Sequence, residues 1–115
     1  MNTPFHWPVR VYWEDTDAGG VVYYANYLKF MERARSEWLR AHGFEQDVLR
    51  DEAGVVFVVR RVEIDYLSPA RFNEQLDVSV RLHEAGRASL AVRQELTRGA
   101  SCLAKALVTL ACVDA

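Results

Sequence analysis

The sequence predicts an α+β fold, an antiparallel sheet of about five strands packed against one long helix. Three observations predict it. A β-like run near the N-terminus ends at paired carboxylates and two adjacent glycines. A single stretch of helical period follows at once. The rest of the chain alternates with a period of two.

Val9 to Trp13 reads as the first strand and Asp15 to Gly20 as a turn. From about Asn26 the apolar residues Tyr27, Met31, Ala34, Trp38 and Ala41 form one helical stripe. Leu28, Phe30 and Leu39 widen it, while Lys29, Glu32, Arg33, Ser36, Glu37 and Arg40 carry the polar side. Gly43 stops the helix, because glycine accepts the left-handed backbone that follows a helix C-terminus. After Gly54, Val62, Ile64 and Tyr66 alternate with Arg61, Glu63 and Asp65, until Ser68-Pro69-Ala70 ends the strand. Leu76, Val78, Val80 and Leu82 mark the next strand, and Glu84 to Arg87 a hairpin turn. Leu90, Val92 and Leu96 continue the pattern. Cys102 to Val113 is apolar at most positions, as in a strand covered on both faces. One helix covers only one face of such a sheet. The apolar second face and the open edge strands therefore predict at least a dimer.

With 115 residues, half of them hydrophobic, the chain suits a single domain, residues 1–115, that folds without staples. A net charge of −2 gives no general attraction for nucleic acid or an anionic membrane. No apolar run approaches the ~20 residues of a membrane helix, and Met1 to Pro8 lacks the pattern of a signal peptide. Cys102 and Cys112 share one predicted strand and would stand about 33 Å apart, too far to bridge. Reduced thiols and a cytoplasmic location follow.

The segment from Tyr12 to Tyr27 carries the chemistry. It places carboxylates beside a helix N-terminus, where free N–H groups and the positive end of the helix dipole face outward. An anionic nucleophile or base next to oxyanion donors is the minimum equipment for attacking a carbonyl. Asp17 also suits an Asx-turn or a cap, and Asp15 suits shaping the turn. Asp15, Asp17 and Gly20 fit three positions of a calcium loop, but Asn26 stands where the bidentate glutamate is needed. His6, His42 and His83 have no ligand spacing with the cysteines, so no metal is expected. Gly19-Gly20 is followed by no Gly-Lys-Ser/Thr and is not a phosphate loop. Its freedom serves either the turn or close approach of a ligand to the backbone.

The run Val-Tyr-Trp-Glu-Asp-Thr-Asp-Ala-Gly-Gly-Val-Val-Tyr-Tyr-Ala-Asn-Tyr-Leu-Lys-Phe-Met-Glu-Arg-Ala-Arg-Ser-Glu-Trp-Leu-Arg, from Val11 to Arg40, strongly resembles the 4-hydroxybenzoyl-CoA thioesterase family of hotdog-fold enzymes. Phe57-Val58-Val59-Arg60-Arg61, Tyr66-Leu67-Ser68-Pro69-Ala70-Arg71 and Cys112-Val113-Asp114 look like its Tol–Pal-associated acyl-CoA thioesterase branch. The resemblance implies a sheet wrapped around a long central helix, with subunits joined edge to edge as homodimers that often pair into homotetramers. It implies active sites at the dimer interface, and hydrolysis of an acyl-CoA without a cofactor. The family's catalytic aspartate falls on Asp17, and its oxyanion donor, a backbone N–H at the helix start, falls near Tyr24. Candidate substrate contacts are Gly20, Val21, Val22, Asn26 and Tyr27 around the turn and helix start, with Arg60 for the CoA phosphates.

Two departures from the branch stand out. Tyr24 occupies a position where the branch usually has histidine, and tyrosine there resembles the aromatic-acyl branch. A catalytic role for that histidine is not carried over, and the acyl group stays open between short aliphatic and aromatic. The chain also stops soon after its last strand, where relatives often continue. The carrier is either CoA or acyl carrier protein. Two rival readings share the fold, a hydro-lyase and a non-catalytic module that binds acyl-CoA or acyl carrier protein.

Overall fold

The computed structural model describes residues 3–115. The elements in order are β1 (Phe5–Arg10), a 3-10 turn (Trp13–Asp15), α1 (Asn26–Ala41), α2 (Gln46–Val48), a π-helical turn (Leu49–Ala53), β2 (Val55–Tyr66), β3 (Gln75–Ala85), β4 (Ser89–Arg98) and β5 (Ser101–Asp114). The five strands form one antiparallel sheet in the order β1-β3-β4-β5-β2. β1 and β2 are therefore its two edges.

The first strand lies earlier than Val9 to Trp13. Pro8, just before the expected start, sits within β1 opposite Asp77. An edge strand tolerates a missing N–H. Trp13 leaves the strand because Asp15 Oδ2 accepts the Tyr12 N–H at 2.8 Å and tightens the chain into a turn.

α1 buries Tyr27, Phe30, Met31, Ala34 and Leu39, so the predicted stripe is the one that meets the sheet. They pack with Val78 and Val80 of β3, Val92 and Leu96 of β4, and Val108 and Leu110 of β5. Ala41 is exposed and Trp38 only half-buried, since the stripe drifts off the sheet in the last turn. The stop at Gly43 takes the expected left-handed form, φ 89°. Phe44 N–H reaches back to Leu39 O at 2.9 Å and Gly43 N–H to Arg40 O at 3.0 Å, a Schellman arrangement. The helical chain is divided, however. The expected single long helix is a 16-residue α1 plus a separate one-turn α2, three residues long, that the apolar periodicity did not reveal. None of α2 is buried, so no apolar stripe marks it.

One polar cluster breaks the pattern inside the core. Arg35, on the sheet side of α1, donates to Gln94 Oε1 at 3.0 Å, and Gln94 Nε2 donates to Met31 O at 3.0 Å. Burial lowers the Arg35 pKa, while nearby Glu32 pulls the other way. β5 is not covered on both faces within the chain. Ala104, Ala106, Val108 and Leu110 are buried, whereas Lys105 is exposed and Leu107, Thr109 and Ala111 are half-buried. Cys102 and Cys112 are both free thiols, and burial pushes the Cys102 thiol up, away from the reactive thiolate.

Candidate active site

The loop before α1 is folded by its own backbone. Thr16 bridges to Val22, and Asp17 N–H donates to Val21 O at 2.9 Å. Gly20 turns the chain with φ 78°. Asp15, only 6% exposed, anchors the base of this loop. Its carbonyl accepts the Tyr23 N–H at 3.0 Å and the Asn26 side-chain Nδ2 at 2.9 Å. The returning arm, Val21 to Tyr23, then runs straight into α1.

Asp17 sits at the exposed tip of the loop. Its Oδ1 accepts the Gly19 N–H at 2.8 Å, which is an Asx-turn. Its second oxygen has no hydrogen-bond partner among the described residues. The turn therefore engages one oxygen of the carboxylate and leaves the other unbonded among the described residues.

α1 begins without a side-chain cap and with no acidic residue in its first turn. Its positive end is left uncompensated. Asn26 N–H is taken by Tyr23 O at 2.8 Å, and Tyr27 N–H by Tyr24 O at 3.3 Å. The N–H groups of Tyr24 and Ala25 have no partner among the described residues. They are two adjacent donors at the helix start, in the place expected around Tyr24.

A cleft of 280 Å³ opens beside this helix start, lined by Val22, Tyr24, Tyr27, Tyr66, Leu67, Ser68 and Pro69. The rings pack edge to face, Tyr24 to Tyr66 at 6.1 Å and Tyr27 to Tyr66 at 5.2 Å between centroids. A larger apolar cavity of 390 Å³ lies at the other end of α1, between Trp38, Phe44, Phe57, Leu82 and Leu90. Its lining contains no residue of the α1 start, so it lies away from the two unpartnered amides.

The other candidate contacts divide. Val22, 4% exposed, lines the cleft. The Tyr24 side chain is 61% exposed at its mouth. Tyr27 is buried in the core, and its hydroxyl accepts the Ala70 N–H at 2.9 Å, yet one side of its ring faces the cleft. Gly20 and Val21 tie the loop to the next segment, Gly20 O accepting from Phe72 N–H at 3.3 Å and Val21 bridging to Arg71. Asn26 is engaged internally, its amide on Asp15. Arg60 is the extra residue of a bulge in β2, between Val59 and Arg61. Six residues from Tyr66, it stands roughly 20 Å along the strand and does not line this cleft. Sequence reasoning missed Tyr66 and the Leu67-Ser68-Pro69 wall. Their signal was present, since the segment belongs to the family-like stretch but reads only as a strand end.

Comparison with known proteins finds relatives along nearly the whole chain. "Acyl-CoA thioesterase YbgC" of Haemophilus influenzae is 46% identical over 114 residues, covering 99% of this chain and 84% of that protein. "Acyl-CoA thioester hydrolase YbgC" of Escherichia coli O6:H1 is 47% identical over 116 residues, covering 99% of this chain and 86% of that protein. Among solved structures, a probable thioesterase from Bartonella henselae superposes with a TM-score of 0.92 at 37% identity, covering 97% of this chain and 93% of that one. The sequence profile described as "Thioesterase superfamily" matches residues 19–103, a span that starts two residues after Asp17 and runs through α1 and the cleft into β5. With that match and near-full-length relatives, the chain belongs to the thioesterase superfamily and has its α+β hotdog fold.

Proposed function

We propose that the protein is an acyl-CoA thioester hydrolase whose reaction is run by Asp17 and the start of α1. The observation that carries this reading is the pair of unpartnered amides, Tyr24 and Ala25, in the same folded loop as a carboxylate with one unbonded oxygen. The near-full-length relatives named acyl-CoA thioesterases supply the substrate class.

In this reading the thioester carbonyl oxygen points at the Tyr24 and Ala25 N–H groups. The amides and the helix dipole stabilise the negative charge that develops there, each donor contributing on the order of 3 kcal/mol. Asp17 either attacks the carbonyl carbon, expelling the thiolate and leaving an acyl anhydride that water opens, or removes a proton from an attacking water. By either route water is consumed, the C–S bond breaks, and the products are the free acid and the CoA thiol. The aromatic cleft of Val22, Tyr24, Tyr27 and Tyr66 holds the acyl group, short aliphatic or aromatic. Arg60, standing away from the cleft, is left for the distant CoA phosphates or for acyl carrier protein. Residues 1–115 act as a single hotdog domain.

The sheet edge at β2 supports a homodimer, which pairs further into a homotetramer. That edge exposes Val58 and Val59, and β5 beside it leaves its second face open. The free thiols fit a cytoplasmic setting.

The decisive experiment is Asp17→Asn in purified protein of unchanged oligomeric state, assayed over a panel of aliphatic and aromatic acyl-CoAs. Turnover falls by at least about a hundredfold. Near-normal turnover on every accepted thioester would refute the assignment.

A further inference from the structure

Two peptide groups present the free amides, and each amide's direction is fixed by the carbonyl on the other side of its own peptide bond. A peptide unit is planar, so its N–H and C=O point in opposite directions together. The Tyr24 N–H belongs to the Tyr23–Tyr24 peptide, whose carbonyl is held by the Asn26 N–H at 2.8 Å. The Ala25 N–H belongs to the Tyr24–Ala25 peptide. Its carbonyl receives only a long bond of 3.3 Å from the Tyr27 N–H within the helix turn. The stronger partner comes from across the cleft, where the Tyr66 hydroxyl donates to Tyr24 O at 3.0 Å.

We infer that Tyr66 is a positioning residue for the oxyanion site: by donating to the Tyr24 carbonyl it orients and polarises the peptide that presents the Ala25 N–H. This rests on the reading of the α1 start as the oxyanion site. Tyr66 is the last residue of β2, and its position is held from both sides. Leu67 N–H and Ser68 N–H both donate to Leu103 O, at 2.8 and 3.1 Å, so the chain after the ring is tied to β5. The ring itself lies edge to face with Tyr24 and Tyr27. Burial and those two neighbours hold the Tyr66 phenol above its ordinary range, so it stays a donor. A hydrogen bond into a carbonyl also makes the N–H of the same peptide a better donor, because charge shifts along the conjugated unit. Tyr66 thus acts through the backbone and need not touch the reacting atoms.

The test is Tyr66→Phe, which keeps the ring and removes only the hydroxyl, with Tyr66→Leu as the variant that removes the ring as well. Two readouts are taken, steady-state kinetics on acyl-CoA and the backbone amide resonance of Ala25 in a two-dimensional NMR spectrum. Tyr66→Phe is expected to move the Ala25 resonance and lower kcat about tenfold, with KM changed less than about twofold. An Ala25 resonance that stays in place overturns the positioning itself, whatever the activity. A resonance that moves while kcat stays within about twofold overturns the oxyanion role of Ala25 instead. Loss of activity only in Tyr66→Leu assigns the effect to ring packing and also overturns the proposal.

Discussion

The Asn26 side chain donates to the Asp15 carbonyl at 2.9 Å, joining the first residue of α1 to the base of the loop that carries Asp17. An asparagine at a helix start would ordinarily cap its own helix. Here its amide is spent on a residue 11 positions earlier, and the Tyr24 and Ala25 N–H groups just before it have no partner among the described residues. Asn26→Ala removes a part-buried bond at a cost of about 1 kcal/mol in urea unfolding. Because the loop loses its tie to the helix, kcat falls with it. A variant with unchanged kcat would show that Asp17 does not depend on this link.

Gly19 lies close to the Asp17 carboxylate. A Cβ built on it would stand 3.3 Å from Asp17 Oδ1, and its φ is not in the left-handed region. Gly19→Ala should therefore leave stability within about 1 kcal/mol while displacing the carboxylate. Turnover drops several-fold at unchanged unfolding midpoint. A large loss of stability instead would mean that the backbone, and not the carboxylate, resists the methyl group.

The Arg35–Gln94–Met31 chain predicts an asymmetry between two variants. Gln94→Leu strips the buried guanidinium of its partner, which costs about 2 kcal/mol or more. Arg35→Met removes the buried charge itself and costs less, because a buried cation is expensive to keep. Urea denaturation of both proteins checks the order. Equal effects would indicate that packing volume alone sets the stability there.

The open β2 edge predicts the assembly. Val59 is 50% exposed on that edge, within a run of Val58, Val59, Arg60 and Arg61. In the proposed edge-to-edge homodimer, Val59→Lys adds a charge to the joining edge of each subunit and should shift the protein toward monomer in sedimentation experiments. If dimers persist at full strength, the subunits meet elsewhere.

The sequence alone determined which residues are apolar with which period, and so the existence of α1, its stop at Gly43 and four of the strands. Local chemistry settles those features. Glycine at φ 89° ends a helix wherever it stands, and alternating valines make a strand. The sequence also marked Asp17 and the neighbourhood of Tyr24, since the loop that holds them is built from contiguous residues. Tertiary structure alone decided the rest. Pro8 fits a strand only because β1 lies at an edge, and edges are set by strand order, not by composition. Arg35 could be read as a surface residue until Gln94, 59 positions away, supplied its partner. Tyr66 gains its place beside Tyr24 only when β2 returns to the start of α1, a contact 42 residues apart that no local period encodes.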